Sequence, residues 1–401
     1  MKRFLLKTLI CLLLSPWLIC RSVIGGDFSF DGYIKSYLYV FQPAPVQDAE
    51  GNEIDSSPEA LLSNRLRLEA SYRPNNRVRI EAAYDLAPRF QSEGMTGNTF
   101  LSSPIDPFSY RVVDLETDLY PSDPDSIRHF ALGHNLDRAA VTVRSKTIDW
   151  TIGRQAIAWG SARGINPTDI LAPFTFDALD TEDRIGIDAV RARVPLGTLS
   201  EIDAGYIFGR DMEFSKSAFY GRSAFNILHT DISILFMGFR ENLLFGFDVA
   251  RAIGGAGFWL ETAYVDAGVF NEDAVGRERY YFRASTGLDY NLTGETYGFL
   301  EYHFNGAGAT RAGEYMDRYM ETAYTEGSVY LLGRHYLIPG IVHQYSPLVS
   351  ITFQSLINVA DASAFLAPQA EYNIAQNVYL GAGAFVGIGK GPVLDLSLIH
   401  I

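Results

Sequence analysis

The sequence predicts an all-β protein, a transmembrane antiparallel up-and-down β-barrel of about 16–18 strands. Three observations carry this reading. Apolar and polar residues alternate at period two in runs from Phe28 to Gly389. Many of these runs reach nine to fourteen residues, long enough to cross a bilayer at a tilt. The links between them are mostly short on one side of the meander and long on the other, the pattern of periplasmic turns and external loops.

The first element in the chain is not a strand. MKRFLLKTLICLLLSPWLIC sets Lys2, Arg3 and Lys7 ahead of an apolar run from Leu9 to Cys20. This is the layout of a secretory signal peptide, with removal expected after Gly25 or Gly26. Residues 1–26 are read as that signal peptide and 27–389 as the barrel. Bulky Ile19 disfavours lipid attachment at Cys20, where a small residue is wanted. Both cysteines, Cys11 and Cys20, fall in the removed part. The mature chain is therefore expected to lack disulfides, thiolate metal sites and haem-attachment motifs. The formal charge is −14, and without Lys2, Arg3, Lys7 and Arg21 it becomes −18, which argues against nucleic acid as a partner. No later segment has 18 uninterrupted apolar residues, so no membrane-spanning helix is expected. Export without such a helix leaves a soluble exported protein or a barrel in the outer membrane of a Gram-negative cell.

Strands are read at 28–41, 61–73, 77–87, 137–146, 148–158, 187–195, 201–209, 222–228, 231–240, 243–252, 258–267, 279–291, 295–305, 331–345, 348–359, 364–374 and 377–388. The short links on the starting side are Pro74-Asn75-Asn76, Thr147, 196–200, His229-Thr230, Asn242 or the glycine-rich 254–257, and Ser346-Pro347. The long links are 42–60, 88–136, 159–186, 210–221, 268–278 and 306–330. Within 88–136, YRVVDLETDLY reads as a short strand inside the loop.

Alternation does not say which face meets water. A soluble β-sandwich or a propeller alternates too, with its charges outside. The inverted arrangement is expected because Tyr72, Tyr84, Tyr206, Phe208, Tyr280, Tyr290, Tyr302 and Phe304 gather towards strand ends on the apolar face, as interfacial girdles do. Closure also leaves no backbone group unpaired in lipid. In NRLRLEASYRPNNRVRIEAAYDLAP, residues 64–88, the charged face then lines the lumen. A three-residue turn would set Glu69 opposite Glu81, with Arg67 and Arg79 on the diagonals.

Arg65, Arg67, Arg73, Arg77, Arg79, Arg138, Arg144, Arg191 and Arg193 share lumen parity. Two readings stay open. These permanently charged forks form an anion-attracting strip, or they form a salt-bridge lattice with Glu69, Glu81, Asp85, Glu201 and Asp203. The loop 159–186 mixes Ile170, Leu171, Phe174, Phe176 and Leu179 with Asp169, Asp177, Asp180, Glu182 and Asp183. So many apolar residues suit a loop that folds inward and narrows the lumen, its acids facing the arginines. Arg163, Asp169, Asp177 and Asp180 are then the constriction residues. An external loop packed on its neighbours is the other reading. Arg154 shares the parity of Trp150 and Ile152, and a bulge near Gly153 would turn it inward.

The stretch GRQAIAWGSARGINPTDILAPFTFDALDTEDRIGIDAVRARVPLG, 153–197, has a distinctive layout. A strand ends in Gly-Arg-Gln, then come Trp-Gly, Arg163, an Asn-Pro-Thr-Asp and a strand with Asp-Ala-Val-Arg. It resembles bacterial outer-membrane barrels of the porin and alginate-export type. The resemblance implies passage of hydrophilic solutes or of an anionic polysaccharide, with Arg154, Arg163, Asp169, Arg191 and Arg193 lining the pore.

Seven histidines are scattered without a metalloprotease or nucleophile-elbow pattern, so no enzyme activity and no cofactor or metal is expected. A barrel of this class should have an even strand count and end on an aromatic residue. Seventeen strands and the ending SLIHI lead to the expectation that 390–401 is a truncated or non-native tail and that a closing strand is missing. The first functional expectation is a passive channel for small hydrophilic solutes, with anions as a candidate class. An exporter of an anionic polysaccharide and a non-transport sheath or scaffold are the alternatives. The expected partners are outer-membrane lipid and a small hydrophilic solute, and assembly into a homo-oligomer is compatible with the class.

Overall fold

The computed structural model describes residues 26–42, 46–47, 53–54, 58–92, 110–113, 117–121, 129–174, 182–270, 279–325, 327 and 329–389. The segment up to residue 25, the tail 390–401 and two of the expected constriction residues, Asp177 and Asp180, lie outside the described residues.

Seventeen wall strands follow one another as an antiparallel meander. They are β1 Asp27–Phe41, β2 Glu59–Asn75, β3 Val78–Gln91, β4 Phe130–Arg144, β5 Asp149–Gln155, β6 Ile187–Pro195, β7 Glu201–Ile207, β8 Ala218–Ile227 and β9 Thr230–Phe239. Then come β10 Asn242–Ile253, β11 Ala256–Asp266, β12 Tyr280–Asn291, β13 Thr296–Asn305, β14 His335–Ser346, β15 Val349–Asn358 and β16 Ala364–Ala375. The last, β17, runs as Val378–Gly383 and Val386–Ile388, both paired with β16. Each expected strand has its counterpart. The sheet counts nineteen segments because β17 is interrupted and because Thr117–Tyr120 pairs with β4 near His134. That small strand is the end of the run expected inside the long loop. Among the described residues β1 pairs only with β2 and β17 only with β16, so the sheet has two free edges.

The faces are inverted relative to a soluble sheet. On β12, Tyr280, Phe282, Leu288 and Tyr290 are exposed while Tyr281, Arg283 and Ser285 are buried. On β13, Leu300 and Tyr302 look out while Glu301 and His303 have no exposed surface. Apolar groups left outside and charges taken inside make sense when hydrocarbon is the outer solvent.

Three local expectations are corrected. The turn after β2 uses two residues, and the register shifts between Tyr72 and Asn75, because the Asn75 Oδ1 accepts the N–H groups of Arg77 (2.9 Å) and Val78 (3.1 Å) and tightens the bend. Glu69 consequently faces Ala83, Glu81 faces Ser71, and Arg67 faces Asp85. No bulge accompanies Gly153, since the ladders on both sides of it run in continuous register. Instead Gly153 has φ +114°, and a Cβ there would lie 2.2 Å from the Ala139 carbonyl oxygen. This glycine-only conformation buries both Arg154 and Gln155. Finally, the tight link at 240–241 joins β9 to β10 and so belongs to the long-loop side. The short links are 254–255 and its counterparts after the other even-numbered strands.

The lumen is not uniformly wet. Inward-facing Leu235, Met237, Phe239, Leu244, Ala263 and Val265 form one apolar cluster with Ile157, Ile170 and Leu171 of the loop after β5 and with Tyr315 and Tyr324 of the loop after β13. A second cluster joins loop residue Ile165 to Leu331, Tyr336, Ile338 and Leu356. Two loops are thus packed inside the wall by the same burial that would otherwise stabilise a soluble core.

Candidate functional site: an arginine wall and a loop pinned across the lumen

The strands β2 to β7 place guanidinium and carboxylate groups on one inner face. Arg67, almost fully buried, reaches Asp137 at 2.9 Å, Glu69 at 2.5 Å and Asp85 at 3.3 Å. Arg65 pairs with Asp85 at 2.9 Å, and Arg138 pairs with Asp137. Arg154 grips Asp188 with two nitrogens at 2.8 and 3.0 Å, and Arg191 grips Asp203 at 3.0 and 2.6 Å. Such bidentate pairs fix the side chains as well as neutralise them. Asp137 is aimed inward by a register shift between Ala83 and Tyr84 on the neighbouring strand. Arg111, from the loop after β3, joins the lattice through Asp137 at 3.4 Å and the Gly186 carbonyl at 2.9 Å.

A cavity of about 400 Å³ opens on this face, lined by Arg67, Arg79, Arg138, Arg154, Arg191, Arg193, Asp31, Glu69, Glu81 and Asp183 among others. Arg193 has no ion pair among the described residues, whereas Arg79 pairs with Glu81 at 2.7 Å. Arg77 and Arg144 lie at the short-turn end, around a second opening with Arg73 and Asn75. Arg144 is 4.0 Å from Asp149.

The loop after β5 leaves this face and reaches the opposite one. Glu261 of β11 and Glu301 of β13 are both fully buried, and each receives four hydrogen bonds. The Glu261 carboxylate accepts the N–H groups of Ser161 (3.0 Å), Ala162 (3.2 Å) and Thr168 (2.9 Å) and the Thr168 hydroxyl (2.7 Å). The Glu301 carboxylate accepts the N–H groups of Arg163 (2.7 Å), Gly164 (3.2 Å) and Ile165 (2.9 Å) and the indole N–H of Trp259 (3.0 Å). Two carboxylate oxygens offer about four lone-pair sites in all, so both groups are saturated. Ser161 adds a hydroxyl bond to Asp248. Gly160, at φ +117°, sits so near that a Cβ would lie 2.8 Å from the Glu261 Oε2. The returning arm comes back to the arginine face. There Glu182 meets Lys35 at 2.6 Å, and Asp183 lies 3.7 Å from Arg67 and accepts the Tyr33 hydroxyl.

The sequence-derived assignments divide accordingly. Arg65, Arg67, Arg138, Arg154 and Arg191 come together, but as members of a paired lattice. Arg163 lies on the far wall, bonded to Asp289 at 3.0 Å and stacked 5.3 Å from the Trp259 ring. Asp169 does not face the arginine wall. It pairs inside the loop with Arg184 at 2.5 Å, and burial pushes its carboxyl up to about 6, partly offset by that guanidinium. The acids that do face the wall are Glu182 and Asp183. Sequence reading missed Glu261 and Glu301 as site residues. Parity could have found both as inward acids, but nothing local tells an anchoring carboxylate from a solvated one. Arg111 and Asp137 carried no signal, being in a loop and at a register shift.

No family model and no curated protein matches the chain. Solved structures do resemble it. OccAB1 of Acinetobacter baumannii aligns with a TM-score of 0.51 at 10% identity, over 91% of this chain and 92% of that one. OpdK of Pseudomonas aeruginosa, solved with vanillate, aligns at 0.50 and 10% identity over 91% and 95%. OccK1 (OpdK) of the same organism aligns at 0.51 and 9% identity, over the same shares. The fold is that of a porin-like β-barrel.

Proposed function

We propose that this protein is a passive channel of the bacterial outer membrane for small hydrophilic solutes, with small anions favoured. The observation that carries the proposal is the loop held across the lumen by Glu261 and Glu301 beside an arginine-lined cavity. A wall with an apolar outside suits lipid, and a polar cavity beside the loop suits a diffusing solute. A loop crossing the lumen fits a small solute better than a polymer, which needs an unobstructed bore. Support for anions comes from the excess of arginine over carboxylate around the cavity and from Arg193, which faces it without a carboxylate partner among the described residues. That one structural relative was solved with vanillate, an aromatic carboxylate, is consistent with this class. Most of the other arginines spend their charge on neighbours, so the preference for anions is expected to be modest. The test is conductance of the purified protein in a planar bilayer, with reversal potentials under a salt gradient. Discrete steps with anion permeability above cation permeability are expected. An electrically silent barrel would overturn the channel, and cation selectivity would overturn the solute class.

A further inference from the structure

We propose that the wall beneath the loop after β13 holds a small monoanion, of halide size, at Arg283. The inference concerns a different face from the arginine lattice and does not depend on whether the lumen conducts.

Arg283 and Ser285 project inward from β12, opposite Asn305 and His303 of β13. Arg283 is 3% exposed, and its Nε and Nη1 make no hydrogen bond. No carboxylate pairs with it among the described residues. The comparison with equally buried guanidiniums is direct. Arg67, Arg111 and Arg154 each have a carboxylate within 3.4 Å, and Arg283 has none among the described residues. The adjoining side chains are also incompletely satisfied. Fully buried His303 bonds through Nδ1 to the Ser285 Oγ at 2.8 Å, leaving Nε2 without a partner. Fully buried Asn305 spends its amide N–H groups on the carbonyls of Leu331 (2.6 Å) and Gly333 (3.2 Å), leaving Oδ1 without one. Over this patch lie Tyr281, whose hydroxyl points to the Gly327 carbonyl, and Tyr324, whose hydroxyl donates to the Leu331 carbonyl at 2.9 Å.

A buried charge with no partner is among the costliest arrangements a protein can hold. Water alone could satisfy the hydrogen bonds but would leave the charge. An anion accepting from either the Nε–H or the Nη1–H of Arg283, which lie on different edges of the guanidinium, neutralises the charge, and water completes the other donor. The Ser285 hydroxyl donates to the Ile165 carbonyl at 2.5 Å. It therefore accepts from His303, whose proton sits on Nδ1, and Nε2 is a lone pair. That lone pair and the Asn305 Oδ1 are acceptors, so the anion belongs on the arginine side with water bridging to them. Ile165 also belongs to the pinned loop, so the site would tie the two inward loops to one point of the wall.

The probe is bromide. Crystals of the full chain grown in sodium bromide are expected to show an anomalous peak within hydrogen-bond distance of Arg283 Nε or Nη1, absent in Arg283→Gln. A second measurement needs no variant. The unfolding midpoint of the native protein in detergent is expected to be higher in bromide than in gluconate at equal ionic strength, by about 2 °C. Equal midpoints overturn the proposal. Ordered water alone at Arg283, or bromide confined to exposed positions as an adventitious ion only, overturns it as well.

Discussion

The two inner faces of the barrel use the same charges in opposite ways. On β2 to β7, carboxylates and guanidiniums satisfy one another, side chain to side chain, as in Arg154 with Asp188 and Arg191 with Asp203. On β11 and β13, Glu261 and Glu301 have no guanidinium on them among the described residues and are satisfied chiefly by backbone N–H groups of the loop. The first arrangement stiffens the wall. The second turns two wall residues into anchors for a segment that belongs elsewhere. A side-chain lattice tolerates some exchange of partners, because long arginines can reach more than one acid, as Arg67 does. Backbone donors cannot be exchanged without moving the chain, so the anchored face should control the bore and the lattice face should control stability.

The sharpest way to break this contrast is to neutralise the anchors. In the double variant Glu261→Gln, Glu301→Gln, each amide keeps one accepting oxygen and presents an N–H to donors. About half of the eight bonds are lost, each worth about 1.5–3 kcal/mol to a charged acceptor. Single-channel conductance is expected to rise severalfold, with the 159–174 segment becoming open to protease while the barrel stays folded. Unchanged conductance and protection would mean that apolar packing alone holds the loop. On the other face, Arg67→Met removes the cation shared by Glu69, Asp85 and Asp137 and leaves Asp85 to Arg65 and Asp137 to Arg111 and Arg138, at about 1.5–3 kcal/mol for the lost charged hydrogen bonds. The expected result is a lower unfolding midpoint in detergent with little change in pore size. If conductance moved more than stability, the proposed division of labour would be reversed.

A smaller effect separates the loop's internal pair from both walls. Burial holds the Asp169 carboxyl at about 6, above its ordinary value, so the folded protein keeps a proton that the unfolded chain releases. Its contribution to stability is therefore full below about pH 4 and is lost as pH rises to about 6. Asp169→Asn should remove that component, roughly 2 kcal/mol or less, from a plot of stability against pH. An unaltered profile would show that the carboxyl is not desolvated. The smallest change is expected for Arg193→Gln, which breaks no ion pair among the described residues. Stability should stay within about 0.5 kcal/mol, while the anion-to-cation permeability ratio falls by about twofold, since one facing charge is removed from the cavity. A ratio that does not move would take the anion preference away from this residue.

Much of the wall was legible beforehand because a sheet repeats every two residues and the chain obeys that period strand after strand. The alternation on β12 alone separates Tyr280, Phe282 and Leu288 from Arg283 and Ser285. Ile170 and Leu171 marked the 159–186 loop for burial, but an inward fold and packing on neighbouring loops were both left open, and the contacts of 159–174 with Glu261 and Glu301 came only from the structure. What failed was finer. Arg154 was assigned to a bulge, whereas a glycine φ in the left-handed region turns it. Asp169 was aimed at the arginines, whereas it pairs with Arg184 some fifteen residues on.

From sequence alone came the fold class, the strand set, the outward apolar face and the inward arginines, all consequences of local periodicity. Tertiary structure alone decided which charges neutralise each other and which acids hold the loop. Those choices depend on residues brought together from opposite sides of the barrel, such as Ile165 and Glu301, and no local pattern records a distance across a lumen.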